Sequence, residues 1–294
     1  MDYTLKNEQL TVTLKTLSGT LKSIKDNDGR EYIWQGDPAV WHGQAPVTFP
    51  ICGSLRDNKT TIGNGKTTNM PRHGIVRKRD FTMEKQTADQ IIFSITSNDE
   101  MLTQYPFPFR LYTMYRLSGK SLRVNYRVEN TGSEKMPFFI GGHPAFACPL
   151  DKGETFEDYH LIFPQKETCA PTTPLDNGLQ DANERTPLLE DTNDLPLSYD
   201  YFVNDVRALD TLKSRSVKLV SSRSGRGIQV DFSDFPYLML WTKPGAAFLA
   251  IEPWTGMSTT TAEDDIFEHK ANVQFAEPGE SKDYTFTITV LDAE

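Results

Sequence analysis

The feature that most constrains the fold of this chain is an alternation of apolar and polar residues with a period of two. Residues 122–129 read Leu-Arg-Val-Asn-Tyr-Arg-Val-Glu, and residues 284–290 set Tyr, Phe, Ile and Val against three threonines. Because successive side chains of a β-strand point to opposite faces, each stretch predicts a strand with one buried face. Similar runs at residues 11–15, 91–96, 110–117, 217–221 and 228–232 indicate further strands.

Turn-forming sequences such as those at residues 27–29 and 118–120 separate these runs, which is typical of consecutive hairpins. The chain has 294 residues with no internal repeat or clean boundary. The succession of hairpins predicts the all-β class. Because β-sandwiches of roughly 200–250 residues routinely form one unit, we also predict a single domain. The expected architecture is one large antiparallel β-sandwich domain spanning residues 1–294.

Two segments depart from this pattern. Residues 260–270 are the best helical candidate, because Thr260 and Glu263 could form a capping box, and we expect at most this one short helix. Residues 165–197 are rich in Thr, Pro, Asp and Asn and are expected to leave the sheet as a long polar excursion.

Composition excludes several classes of function. The net charge is −9, which disfavours a nucleic-acid partner, because such binding relies on clustered Lys and Arg. The N-terminus lacks a signal-peptide pattern and the chain lacks a run of about 18 apolar residues, so we expect a cytoplasmic protein with no membrane partner. Its three cysteines show no ligand spacing, so we expect neither structural zinc nor a disulfide scaffold.

His143 is the first candidate for chemistry. It follows an apolar stretch that ends in Gly141 and Gly142, two residues that let the backbone approach a neighbour closely, and it precedes Pro144. A titratable ring at such a strand end is suited to donate or accept a proton near neutral pH. The alternative is a core or turn histidine bonded to the backbone.

Glu252 is the second candidate, at the end of an apolar run that predicts a strand buried on both faces. A carboxylate there is costly unless it is paired or used, and burial would raise its pKa toward that of a general base. Trp254, two residues on, offers a flat face for a sugar ring. A hydrogen-bonded structural carboxylate is the alternative.

The third feature is a cluster of basic residues at residues 72–79 of an otherwise acidic chain. It consists of Arg72, Arg77, Lys78 and Arg79. Such a cluster could bind an anionic group, for example the phosphate of a sugar phosphate. The alternative is a solvated strand face.

Four short motifs, taken in order, resemble the aldose 1-epimerase (galactose mutarotase) family over nearly the whole chain, and most closely its lacX-type branch. They are Phe49-Pro50-Ile51-Cys52-Gly53, Pro71-Arg72-His73-Gly74, Gly142-His143-Pro144-Ala145-Phe146 and Ile251-Glu252-Pro253-Trp254. The resemblance implies a galactose mutarotase-like β-supersandwich. It also implies exchange of the α and β anomers of a free aldose without a metal or organic cofactor.

The resemblance also implies roles for single residues. His143 matches the general acid of the family, Glu252 its general base, and His73 the histidine that contacts sugar hydroxyls. A family aspartate that holds hydroxyls matches Asp205, with Asp200 as the rival.

The chain departs from the family pattern at two places. Many members have an arginine directly after the glycine of the first motif, where this chain has Ser54, and Arg56 is the candidate for that role. The galactose enzymes usually have asparagine before the histidine, where this chain has Gly142, which argues against a specific preference for galactose.

We therefore predict an aldose 1-epimerase for a free hexose, a monomer or homodimer whose partner is a small-molecule sugar. His143 would protonate the ring oxygen and Glu252 would take the anomeric hydroxyl proton, from opposite sides of the sugar, with a bell-shaped dependence on pH. Two rivals stay open: a hexose-6-phosphate 1-epimerase and a non-catalytic carbohydrate-binding protein.

Overall fold

The computed structural model describes residues 1–293, whose regular secondary structure is almost entirely β-strand. In chain order the strands are β1 (Asp2–Lys6), β2 (Leu10–Lys15), β3 (Thr20–Asp26), β4 (Val47–Thr48), β5 (Lys59–Ile62), β6 (Lys66–Asn69), β7 (Thr82–Gln86), β8 (Gln90–Thr96), β9 (Phe109–Ser118), β10 (Ser121–Asn130), β11 (Met136–Phe138), β12 (Gly141–Gly142), β13 (Ala145–Ala147), β14 (Tyr159–Cys169), β15 (Thr172–Pro174), β16 (Gln180–Arg185), β17 (Leu189–Pro196), β18 (Arg207–Leu209), β19 (Ser216–Ser221), β20 (Gly227–Asp231), β21 (Tyr237–Trp241), β22 (Phe248–Trp254), β23 (Gln274–Ala276) and β24 (Ser281–Leu291).

The alternating segments build one large antiparallel sheet of nine strands, in the order β17-β14-β19-β20-β24-β10-β9-β8-β7. The register pairs apolar with apolar residues, for example Val124 with Tyr115 on β9 and with Phe286 on β24. The period-two pattern is thus confirmed as the cause of the fold, because it places one apolar face of this sheet against the core.

A second antiparallel sheet, in the order β18-β21-β22-β12-β4, packs on that face, and β13 adds to β22. The two sheets meet closely at Gly142 of β12, where an added Cβ would lie 2.9 Å from the ring of Phe286 and 2.9 Å from the hydroxyl of Tyr126. The predicted all-β antiparallel sandwich is confirmed, and Glu252 and Trp254 lie on β22 of this second sheet.

The helix expected at residues 260–270 is wrong. This segment contains only a single 3₁₀ turn, Phe267–His269, and Asp265 has a left-handed backbone with φ of 65°. The carbonyls of Thr260 and Glu263 accept hydrogen bonds from Arg56. The α-helix of the described residues is α1 (Asp99–Gln104), capped by the Asn98 side chain, which accepts from the Met101 N–H at 2.9 Å.

The polar excursion expected at residues 165–197 is correct only for the hairpin of β15 and β16, which forms a two-stranded sheet of its own, and is wrong for the rest. The segment forms the end of β14, the hairpin of β15 and β16, and β17, which is the edge strand of the nine-stranded sheet. Its polar composition has a simple cause, since most side chains of an edge strand and a surface hairpin face water.

Within the described residues no helix is long and apolar enough to cross a bilayer.

Cys52, Cys148 and Cys169 are all buried as free thiols.

Gly74 joins the segment after β4 to the turn that contains His73. Phe49 forms a parallel bridge with Gly74, and the carbonyl of Phe49 accepts from the N–H of Ile75 at 2.9 Å. Gly74 has φ of 79°, and a Cβ there would lie 2.0 Å from the Phe49 carbonyl oxygen. Only glycine therefore allows this close approach of the two backbones.

We expect Gly74→Ala to lower the free energy of unfolding by about 3–5 kcal/mol, because it adds overpacking to left-handed backbone strain. Gly65→Ala is the matched control, since Gly65 has the same φ of 79° and open space around it; it should cost about 1 kcal/mol. Urea denaturation of both variants checks this, and equal losses would contradict the steric account.

Candidate active site

The two principal candidates lie side by side because β12 and β22 are neighbours. Gly141 on β12 pairs with Trp254 on β22, so His143 leaves the sheet next to Glu252. Every residue of β22 is buried, as its apolar run predicted, and Glu252 is 1% exposed.

The two glycines before His143 are required by what packs against them. A Cβ on Gly141 would lie 2.3 Å from the indole of Trp254, and the Trp254 Nε1–H donates to the carbonyl of Gly142 at 3.1 Å. The backbone N–H of His143 donates to the Pro46 carbonyl at 3.0 Å. The expectation that the glycines allow a close approach is confirmed, and it fixes the position of the histidine.

His143 and Glu252 form a buried pair, with 3.2 Å between His143 Nε2 and Glu252 Oε2. The contact is not aligned as a hydrogen bond, so Glu252 Oε2 lacks a hydrogen-bond partner among residues 1–293. The other ring nitrogen, His143 Nδ1, lacks one as well within this range. Buried polar atoms are nearly always paired, and such orphans in a cavity are suited to a bound molecule.

Burial sets the protonation of the buried pair. It raises the pKa of Glu252 well above its usual range. Burial, together with the nearby charges of Arg72 and Arg77, lowers the pKa of His143 to about 3. Both shifts disfavour the charged form of the group, so they favour the state in which the pair holds a single proton. Its net charge is zero whether that proton sits on the carboxyl or on the ring.

His73 is fixed as a hydrogen-bond donor. Its Nδ1 accepts from the N–H of Gly53 at 3.2 Å, and burial together with the neighbouring His143 lowers its pKa well below the usual value. The ring is therefore neutral with its hydrogen on Nε2. The backbone N–H of His73 donates to the Gly53 carbonyl at 2.7 Å, so the first two sequence motifs are joined directly.

The buried pair and His73 face a cavity of about 190 Å³ walled by Trp41, Trp241 and Trp254, which we call the tryptophan cavity. Trp41 stacks on His143, with 5.0 Å between ring centroids and 27° between planes. Pockets for drug-sized ligands measure roughly 300–1,000 Å³, so this cavity suits a molecule of monosaccharide size.

Asp205 and Arg72 border the same cavity and face each other, with 3.4 Å from Arg72 Nη2 to Asp205 Oδ2. Both side chains are partly exposed and both lie close enough to Glu252 to influence its pKa. Asp200, the rival of Asp205, is exposed in a 3₁₀ turn and does not line the cavity.

Arg56 does not line the tryptophan cavity, and the expectation that it contacts substrate is corrected. Its Nε donates to both carboxylate oxygens of Asp265, at 2.9 and 3.1 Å, and its Nη2 binds two carbonyls of the same loop. The guanidinium at the cavity is that of Arg72, one residue before His73.

The basic cluster is divided by the fold. Arg72 and Arg77 line the tryptophan cavity, whereas Arg79 pairs with Glu100 at 2.7 Å and Lys78 is exposed outside it. The segment is a series of turns and not the solvated strand face offered as the alternative.

Sequence reasoning missed Trp41, Trp241 and Lys243, which also line the cavity. The one sequence signal was the scarcity of tryptophan, since the chain has only four. The structure places three of these four at the cavity. Trp41 and Lys243 lie in loops, where no periodicity indicates which way a side chain faces.

Comparison with known families decides the relationship. The family model "Aldose 1-epimerase" matches residues 1–289. The chain belongs to the aldose 1-epimerase family. Protein LacX of Lactococcus lactis subsp. lactis, in its plasmid and chromosomal forms, is 48% identical over 299 aligned residues, which cover 99% of this chain and 100% of that protein. The resemblance drawn from the four motifs is confirmed.

Solved structures of similar proteins agree with the fold of this aldose 1-epimerase family member. A galactose mutarotase related enzyme from Lactobacillus acidophilus superposes with a TM-score of 0.93 at 30% identity, covering 100% of both chains. A galactose mutarotase-like protein from Lactobacillus casei superposes with a TM-score of 0.92 at 28% identity, covering 99% of this chain and 100% of that one.

We expect Glu252→Gln to be more stable than wild type, by a margin that grows with pH. Above about pH 4.5 the unfolded carboxyl is ionised while the folded one keeps a proton, so folding of wild type takes up a proton that the variant does not need. The gap in unfolding free energy should widen by up to about 1.4 kcal/mol per pH unit between pH 5.5 and 8, as measured by urea denaturation.

Glu84→Gln is a control of opposite sign, because the Ser94 hydroxyl, together with Arg110, lowers the pKa of Glu84. Its stabilising effect is complete above the unfolded pKa, so this variant should be less stable than wild type by an amount that is constant between pH 5.5 and 8. A constant gap for Glu252→Gln would contradict the burial argument.

Proposed function

We propose that this protein is an aldose 1-epimerase that interconverts the α and β anomers of a hexose by acid/base ring opening. The observation that supports it most is the buried pair, a histidine and a carboxyl in contact within a cavity of monosaccharide size. Family membership supports the same reaction class.

The position of the buried pair fits the chemistry at the anomeric carbon. Opening the ring breaks the bond from C1 to the ring oxygen, which needs a proton, while the hydroxyl on C1 loses one. Both oxygens are bonded to the same carbon, so an acid and a base 3.2 Å apart can reach one oxygen each. We propose that both groups act from the same side of the anomeric carbon, in place of the opposite sides expected from the sequence.

The protons balance over one cycle. The pair begins with one proton, gives it to the ring oxygen from one member, and receives the hydroxyl proton on the other as C1 becomes an aldehyde. Rotation about C1–C2 presents the other face, and closure reverses both transfers. The family resemblance assigns His143 as the acid and Glu252 as the base for opening. This assignment requires the shared proton to move from the Glu252 carboxyl to the His143 ring before opening, and the roles exchange on closure.

Other side chains hold the sugar. The Nε2–H of His73 donates to a hydroxyl oxygen, and the carboxylate of Asp205 accepts from hydroxyls at the other polar part of the cavity. The indoles of Trp41 and Trp241 supply flat apolar faces for the C–H groups of the ring. A carbohydrate-binding protein without catalysis would need these groups but not the unpartnered buried pair.

Glu252→Gln and His143→Asn should each lower the enzyme-dependent rate of anomer exchange at least about 100-fold, because each positioned acid/base partner contributes about 10²–10⁴-fold. NMR exchange spectroscopy on a panel of aldoses and sugar phosphates measures this rate above the buffer rate. Unchanged exchange in Glu252→Gln would contradict the assignment.

Glu31→Gln is the matched control. Burial also raises the pKa of the Glu31 carboxyl, but Glu31 lies outside the tryptophan cavity. This variant should keep wild-type exchange rates, so that a loss in Glu252→Gln is not attributed to burial alone.

The dependence of kcat/KM on pH should be a broad plateau. The active pair holds one proton, so activity falls only when a second proton adds to His143, whose pKa is lowered to about 3, or when Glu252, whose pKa is raised, loses its own. Between pH 5 and 8 we expect changes of less than about threefold after subtraction of the buffer rate. A narrow bell with limbs near the ordinary values of about 4.3 and 6.5 would contradict this.

A further inference from the structure

The charges at the tryptophan cavity do not balance. Three cationic side chains line it, Arg72, Arg77 and Lys243. Asp205 is the one lining carboxyl outside the buried pair, and it faces Arg72. Because the buried pair is neutral overall, two positive charges at the cavity are uncompensated among residues 1–293.

Arg77 is the more unusual of the two. Its side chain is partly buried and has no carboxylate partner within the described part of the chain, and burial together with nearby Arg72 lowers its pKa. It lies close enough to His73 and His143 to lower the pKa of both rings. Placing an unpaired guanidinium there costs free energy that an anionic ligand would offset.

Lys243 supplies the second charge from the loop after β21. Its ammonium donates to the carbonyl of Val40 and has no carboxylate partner between residues 1 and 293. An ammonium has three hydrogens, so Lys243 keeps two donors for a ligand in the cavity.

We propose that the substrate is a hexose phosphate, whose phosphate group is held at the cavity by Arg77 and Lys243. This inference rests on the proposed function and names its substrate class. A phosphate monoester carries about −1.5 to −2 charge at pH 7, which matches the two uncompensated cations, whereas a neutral hexose matches none and a sugar carboxylate only one. The guanidinium of Arg77 can bind two phosphate oxygens at once.

The rest of the surface makes this local charge informative. The chain as a whole has a net charge of −9, so a general attraction for anions is not expected. The two unpaired cations lie instead beside the groups that would act on the anomeric carbon. The hexose phosphates favoured are those with a free anomeric hydroxyl, since a phosphate on C1 would block ring opening.

The test compares catalysed anomer exchange, by NMR exchange spectroscopy, for glucose, galactose, their 6-phosphates and glucuronate. We expect kcat/KM for at least one hexose 6-phosphate to exceed that for the matching free hexose by about 100-fold or more, since bonds to charged groups are individually strong. Equal rates, a preference for the free hexose, or a preference for glucuronate would overturn the proposal.

Variants locate the effect. Arg77→Gln and Lys243→Gln should each lower the ratio of kcat/KM for phosphorylated over free hexose by roughly 10- to 100-fold. Lys78→Gln, which removes an exposed cation outside the cavity, should leave the ratio as in wild type. If Arg77→Gln lowers both substrates equally, the phosphate assignment is wrong.

A binding measurement separates this inference from the proposed function. Titration calorimetry with glucose 6-phosphate and with glucose does not require catalysis. Binding of glucose 6-phosphate that is lost in Arg77→Gln, without anomer exchange of any sugar, would support the anionic subsite and overturn the epimerase proposal. Anomer exchange without any preference for the phosphorylated sugar, in rate or in binding, would support the epimerase proposal and overturn the phosphate subsite.

Discussion

The free-energy cost of burying charge governs this site. His143 and Glu252 are both buried, and each alone would resist carrying its charge. Together they keep one proton and no net charge, so a proton can move within the pair without creating new charge in the cavity. The elements around them serve this arrangement: Gly141 and Gly142 admit Trp254 and the opposite sheet, and β22 excludes water from the carboxyl.

The nine-stranded sheet provides a rigid platform, and the site is built from segments far apart in sequence. The two hydrogen bonds between His73 and Gly53 join the first two motifs, and the bond from the Trp254 indole to the Gly142 carbonyl joins the last two. Precision at the cavity therefore derives from backbone ladders and glycine contacts, which is where acid/base geometry is best fixed.

Much of this was predictable from local sequence. The strands follow from alternation, and His143 and Glu252 stand out because each is a polar residue where an apolar run ends. Arg56 could not be placed, because its partner Asp265 lies 209 residues away. The same contact explains the failure at residues 260–270, where long-range bonds to two carbonyls replace the helix that local capping favoured. The prediction that residues 165–197 leave the sheet failed for β14 and β17, because polar composition does not distinguish an edge strand from a loop.

The placement of tryptophan has a consequence for observation. Three of the four indoles of the chain surround one cavity, and Trp41 lies flat against the ring of His143. Most of the tryptophan fluorophores of this protein therefore lie at its site. Occupancy, or a change in the ring stacked on Trp41, alters the surroundings of these fluorophores directly, so the chain contains its own optical reporter and needs no attached dye.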